Sequence, residues 1–354
     1  MSNARALVHL LARVRLAEDE QALVRAVAPR APWMEVAVAA REAAVAGLVY
    51  RTLTGCFPDL RVPGPALALL EASYRATLAD NLRRLGAADQ ALDCLLQEGI
   101  EPILLKGAHL VEAVYLDPGV RPMRDVDLLV RPAQLSGAAR LLRRLGYERS
   151  TTPGREISEA RYFQTAFCRD RDKIELHRAL CEPDRYPIDV EALWERSTPI
   201  HWRGRRVRAL CDADHLAYLA LHAALHGFLL PLTSLVDMAT LLRRQPSLAE
   251  GAAQRARTWR AATAVHRSLV LAKDLVGAPV DPLVEASLRP GRMRRAYLHL
   301  CLHGDRMPAF RWSRSLRAAQ VSTLLALMDG GRARYLGKYL ALRLRDLAGR
   351  TPGD

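Results

Sequence analysis

Over the first 97 positions apolar residues recur at spacings of three and four, with few β-branched runs, which predicts amphipathic helices. One stripe, Leu70, Tyr74, Leu78, Leu82 and Leu85, continues through Leu92, Leu95 and Leu96. Pro58, Pro63 and Pro65 mark the loop before it. At Gly99 the pattern changes. Ile103-Leu104-Leu105 is a short apolar run bounded by turn residues, as a buried strand is, and Ala108 to Leu116 reads as a helix closed by Asp117-Pro118-Gly119. A second strand is predicted over Asp127-Leu128-Leu129-Val130. A helix then begins at Pro132, carries Leu135, Leu141, Leu142 and Leu145, and stops at Gly146. Arg161 to Arg169 and Lys173 to His177 flank the polar turn Asp170-Arg171-Asp172 and read as a hairpin. From Asp212 the helical period returns, through Asp214 to Phe228, Leu235 to Arg243, Arg257 to Val276 and shorter pieces to the end. There is no internal repeat or low-complexity tract. The expected architecture is α+β: an N-terminal helical region over 1–97, an α/β core with a small mixed sheet over 98–210, and a C-terminal helical domain over 211–354.

Composition narrows the class. Of the 354 residues half are apolar and a quarter charged, a globular balance with ample material for a core. No window approaches the ~18 uninterrupted apolar residues of a membrane span, and the start MSNARALVHLLARVR is broken by Arg13 and Arg15, so a cytoplasmic protein without membrane contact is expected. Cys56, Cys94, Cys168, Cys181, Cys211 and Cys301 form no CxxC pair and read as small buried hydrophobes. The net charge of +14 suits nucleic acid, an anionic membrane surface or a phosphate-rich substrate without choosing among them. Aromatic residues make up only 6% of the chain and do not interleave with the C-terminal arginines Arg292, Arg294, Arg295, Arg332, Arg334, Arg343 and Arg345, which argues against a nucleic-acid stacking platform. Those arginines read as a solvated helix face or an anion-binding surface. Only Lys106, Lys173, Lys273 and Lys338 of the 52 basic residues are lysines, the other 48 being arginines. Against that background a lysine beside candidate chemistry is informative.

The chemistry concentrates in two stretches, Ile103 to Ala108 and Arg121 to Val130. Side chains two apart in a strand share a face, so Asp125 and Asp127 present paired carboxylates with Val126 turned to the opposite, apolar side. Hard oxygen ligands at this spacing suit Mg2+, with Mn2+ as a substitute, and the ion takes its remaining ligands from water and substrate phosphates. A third carboxylate would complete a two-metal site, and Glu175 is the candidate, sharing its face with His177. Lys106-Gly107, between strand and helix, offers backbone N–H groups and an ammonium to phosphate oxygens. Arg121 and Arg124 pair with the acids or add to phosphate binding. His222 and His226 stand four apart on one helix face, with Asp237 on the next helix. They either satisfy one another within the bundle or line a base or acceptor pocket. A zinc site is not indicated, since the His pair lacks a third ligand.

In sequence the run LLKGAHLVEAVYLDPGVRPMRDVDLLV, followed by IELH and by LALHAALHGFLLPLTSLVDMATLL, resembles the uncharacterised nucleotidyltransferase family of the polymerase-β-like superfamily, over roughly residues 66 to 245. The resemblance implies a polymerase-β-like core and an enzyme that moves a nucleoside monophosphate from a nucleoside triphosphate (NTP) to a hydroxyl or phosphate of a small molecule or peptide, releasing pyrophosphate. It assigns Gly107 to the triphosphate turn, Asp125 and Asp127 to the metal, and Glu175 to the third acid. His177, His222, His226 and Asp237 fall to the acceptor or base pocket. Lys106-Gly107-Ala108 departs from the Gly-Ser or Gly-Gly of better characterised relatives, and Glu175 replaces the more usual Asp. A catalytically silent nucleotide-binding or protein-interaction module, or a phosphate-directed group transferase of peptide or sugar biosynthesis, remains the alternative. The oligomeric state stays open.

Overall fold

The computed structural model describes residues 3–150, 163–228, 231–301 and 325–337. Four helices open the chain: α1 (Asn3–Leu11), α2 (Glu18–Val27), α3 (Trp33–Glu42) and α4 (Ala46–Cys56). The 34-residue α5 (Gly64–Gln97) follows, roughly 50 Å long, entered through Pro63 and Pro65. Strand β1 (Ile103–Leu105), helix α6 (Lys106–Leu110) with a π-helical turn at Val111–Tyr115, strand β2 (Val126–Leu129) and helix α7 (Leu135–Arg144) come next. Then follow β3 (Glu148–Arg149), β4 (Gln164–Arg169), β5 (Asp172–His177), α8 (Val190–Arg196), β6 (Thr198–Trp202) and β7 (Arg205–Ala209). Helices follow among the described residues: α9 (Asp212–Leu225), α10 (Thr233–Arg244), α11 (Leu248–Thr258), α12 (Ala262–Val276), α13 (Pro282–Leu288) and α14 (Arg292–Cys301). Among the described residues no helix is long and apolar enough to cross a membrane.

The seven strands form one mixed sheet in the order β3-β4-β5-β2-β1-β7-β6. The expected α+β class is therefore observed. β2 lies antiparallel to β1 and parallel to β5, pairing Asp127 with Leu105 on one side and with Glu175 on the other. The hairpin of β6 and β7 was not anticipated, because Pro199 and the run of arginines hide the alternation. Its two-residue turn, Arg203-Gly204, has φ of +47° and +79°, the left-handed pair that matches strand twist.

Alternation divides the sheet into two faces. Leu104, Val126, Leu128, Ile174 and Leu176 pack against Leu85, Ala88, Leu92 and Leu95 of α5 and Leu141 and Leu142 of α7. Ile103, Leu105 and Leu129 face the other way, into a core shared by the first helices and by α9 to α13. The second half of α5 is a layer of the α/β unit, and helices from both sides of the sheet region pack together in the other core. The stripe on α5 differs in detail. Leu82 is 48% exposed, while Asn81 beside it is fully buried, because that turn of the helix meets polar backbone instead of a hydrophobic layer. Arg161 of the expected hairpin, Lys338, Arg343 and Arg345 lie outside the described residues.

Candidate active site

Residues i, i+2 and i+4 of a strand share a face, and on β5 these are Lys173, Glu175 and His177. The parallel register sets Glu175 beside Asp127. Asp125, two residues before Asp127, meets the Lys173 ammonium at 3.3 Å, and the same nitrogen contacts Glu175 Oε1. Val126, between the two aspartates, is buried on the opposite side against the α5 layer. One ligand atom each from Asp127, Glu175 and His177 lies within 4.8 Å of the others.

Asp127 is the best-tethered acid. Its Oδ1 is 2.8 Å from Lys106 Nζ and 2.8 Å from His177 Nε2. Burial alone would raise its pKa, but the charge of Lys106 and the hydrogen bond from His177 hold it well below the usual carboxylate range. Asp125 moves the other way, raised by burial and by the charge of Asp127. Glu175 is lowered despite burial, chiefly by its contacts with His177 and Lys173. The imidazole of His177 is fully buried, yet its pKa is raised, because hydrogen bonds to Asp127 and Glu175 outweigh desolvation.

The donor set fits a hard divalent cation. Three carboxylates on one face attract positive charge, and two ammonium groups already sit against them. His177 fits less well as a ligand. Its Nε2 already serves Asp127, and its buried Nδ1 has no hydrogen-bond partner among the described residues, where a metal-bound histidine normally donates its second N–H to an acceptor.

The strand-to-helix turn differs from expectation. Positive φ falls on Lys106, at +44°, and Gly107 is already inside α6. A Cβ on Gly107 would lie 2.8 Å from Arg121 Nη1 and 3.1 Å from Met123 Cγ, so the missing side chain makes room for the Arg121 loop. Arg121 is not a free cation. Its Nε and Nη2 bind Asp237 Oδ1 and Oδ2 at 3.0 and 2.8 Å, and Tyr115 donates to the same Oδ1 at 2.7 Å. Asp237, 1% exposed, is thus an internal anchor joining α10 to the loop before β2, not the wall of a pocket. Arg124 is exposed and has no ion pair among the described residues.

Of the helical candidates, His222 on α9 reaches the site, with Nε2 3.5 Å from Lys106 Nζ. Burial and the Lys106 charge keep it neutral, its pKa well below the ordinary value. The His226 ring lies 4.5 Å from that of His222, at the exposed end of the helix. His177 lies in the acid cluster, against Asp127, instead of with this pair.

Sequence reasoning missed three members of the site. Lys173 carried two signals, its alternation with Glu175 and its rarity as a lysine. Asn81 carried none: from α5 it donates to the carbonyls of Pro118 and Arg121 at 2.7 Å and accepts from the Met123 N–H at 3.0 Å, fixing the approach to Asp125. Tyr218, fully buried on α9, sets its ring 6.0 Å from Lys106 Nζ.

Comparison with known proteins gives this geometry a family. Residues 29–277 match the family model described as uncharacterised nucleotidyltransferase. The chain belongs to that family. The uncharacterised nucleotidyltransferases take in the N-terminal helices from α3 onward and the bundle as far as α12, so the helical layers belong to the family unit together with the sheet. None of the curated proteins matches the sequence. Among solved structures, the solution structure of the antibiotic-resistance factor ANT(2'')-Ia is similar at a TM-score of 0.36 and 12% identity, covering 50% of this chain and 94% of that one. As a nucleotidyltransferase the chain is an enzyme of nucleotidyl transfer.

Proposed function

We propose that the chain moves a nucleoside monophosphate from an NTP, with Mg2+ or Mn2+, to a hydroxyl or phosphate of a small-molecule or peptide acceptor in the cytoplasm. An acceptor oxygen forms a bond to the α-phosphorus, the bond to the bridging oxygen breaks, and pyrophosphate leaves with that electron pair. Asp125, Asp127 and Glu175 hold the divalent ion, which supplies charge neutralisation to the phosphates. The observation that carries this reading is the parallel register of Asp127 with Glu175, with Asp125 tied to Glu175 through the Lys173 ammonium.

The chain's own residues divide the remaining work. Lys106 sits at the edge of the acids with a raised pKa, because the attraction of Asp127 exceeds the cost of burial, and brings a permanent charge to phosphate oxygens. Arg124 is exposed and free to reach the same phosphates. Arg121 and Asp237 act by positioning, holding the loop that presents Asp125. Neutral His222 and exposed His226 form the α9 side, where base or acceptor binds. Catalysis rests on positioning and electrostatics, with no covalent intermediate.

The test uses each labelled NTP with Mg2+ or Mn2+ and a set of small-molecule and peptide acceptors, comparing wild type with a chain carrying both Asp125→Asn and Asp127→Asn. Transfer of label by wild type alone supports the reading. Equal labelling by both chains rejects the site. One observation favours a second reading, a silent nucleotide-binding module: Lys106 and Lys173 together contact all three acids. Mg2+-dependent NTP binding without pyrophosphate release would select it.

A further inference from the structure

Two of the chain's four lysines touch the acid cluster, while among the described residues no arginine forms an ion pair with its three carboxylates. The chemistry of the two head groups explains why. A guanidinium is a planar fork whose donors all lie in one plane, whether it takes one carboxylate side-on, as Arg121 takes Asp237, or two along its edges, as Arg205 takes Asp89 and Asp93. An ammonium is a compact point charge with donors in three directions, and it can sit between two carboxylates as a cation does.

Lys173 is seated in that manner. Extending the β2–β5 register one step back from Val126 and Ile174 sets Asp125 opposite Lys173. The Lys173 nitrogen lies 3.3 Å from Asp125 Oδ2 and in contact with Glu175 Oε1, so it bridges the two strands. Lys106 occupies a different place, at Asp127 Oδ1 together with His177. Three carboxylates offset by two ammonium groups, with His177 beside them, leave at most one net negative charge, which accommodates no more than one dication. A second would add two uncompensated charges to a largely buried site.

We propose that the Lys173 ammonium is the resident cation of the Asp125–Glu175 pair and fills the place of a second divalent ion, so that the site binds one such ion and not two. This rests on the nucleotidyl-transfer reading and goes beyond it, making Lys173 a positioning residue that sets metal stoichiometry.

The experiment titrates Mn2+ alone into the full chain, counting bound ions by equilibrium dialysis and recording electron paramagnetic resonance spectra. Wild type should bind one Mn2+ with a single-ion spectrum. Lys173→Met, which keeps the stem and removes the charge, should bind two, with the exchange-coupled signal of ions about 4 Å apart. Adding Asp125→Asn to that variant should return the count to one. Lys173→Gln serves if the Met variant does not fold. Two Mn2+ in wild type, or one in both Lys173 variants, overturns the proposal and leaves the metal site standing. No bound Mn2+ in wild type overturns the proposal together with the metal reading beneath it.

Discussion

The two sides of strand β2 use the same backbone for opposite ends. On one side Val126 and Leu128 are buried in an apolar layer with α5 and α7, and that burial contributes to stability. On the other, Asp125 and Asp127 gather like charges at a cost in stability, offset by Lys106, Lys173 and His177. Stability and chemistry are thus separated by one residue of register, and a slip of one position would exchange them. Function on this sheet depends on the apolar side holding the polar side still.

Perturbing each side should break different properties. The largest effect is expected from Asp125→Asn with Asp127→Asn, which should lower the rate of nucleotidyl transfer by roughly a thousandfold or more while circular dichroism still shows a folded chain. Arg121→Met should leave Asp237 buried without its partner and cost about 4 kcal/mol, read from denaturant unfolding. On the apolar side, Leu128→Ala should cost about 3 kcal/mol through the cavity it opens, with Mn2+ affinity nearly unchanged in the folded chain. His177→Gln should weaken Mn2+ binding by about tenfold to a hundredfold, by loosening the orientation of Asp127. The smallest effect is in acid. Because the folded-state pKa of Asp127 is depressed, its contribution to stability is present above the ordinary carboxylate pKa of about 4 and is lost as pH falls through the folded value. In Lys106→Met that folded value rises towards the unfolded one, so the decline in melting temperature on acidification should still begin near the ordinary carboxylate pKa but be shallower and end at higher pH than in wild type.

The side chains that alternate were legible from sequence, because strand period is strict: Asp125, Val126 and Asp127 took the faces that spacing predicts, and Lys173, Glu175 and His177 share theirs. The class of the fold was legible for the same reason. What was hidden depends on partners distant in the chain. Nothing local marks Arg121 as the partner of Asp237, 116 residues away, so an arginine beside an acidic pair reads as a phosphate ligand. Gly107 reads as the bend of a phosphate loop until the structure gives positive φ to Lys106 and fills the space beside the glycine with Arg121 and Met123. Along α5, one continuous helix serving two cores, no break in the sequence marks where one core ends and the next begins.

Three acids on one side of the sheet are proposed to share a divalent ion beside a bound nucleotide. Anomalous diffraction from crystals soaked in Mn2+ and a non-hydrolysable ATP analogue tests this most directly. A manganese peak coordinated by carboxylate oxygens of Asp127 and its neighbours Asp125 and Glu175, with the triphosphate against it, is the predicted result. A peak elsewhere, or nucleotide bound away from these residues, would contradict it.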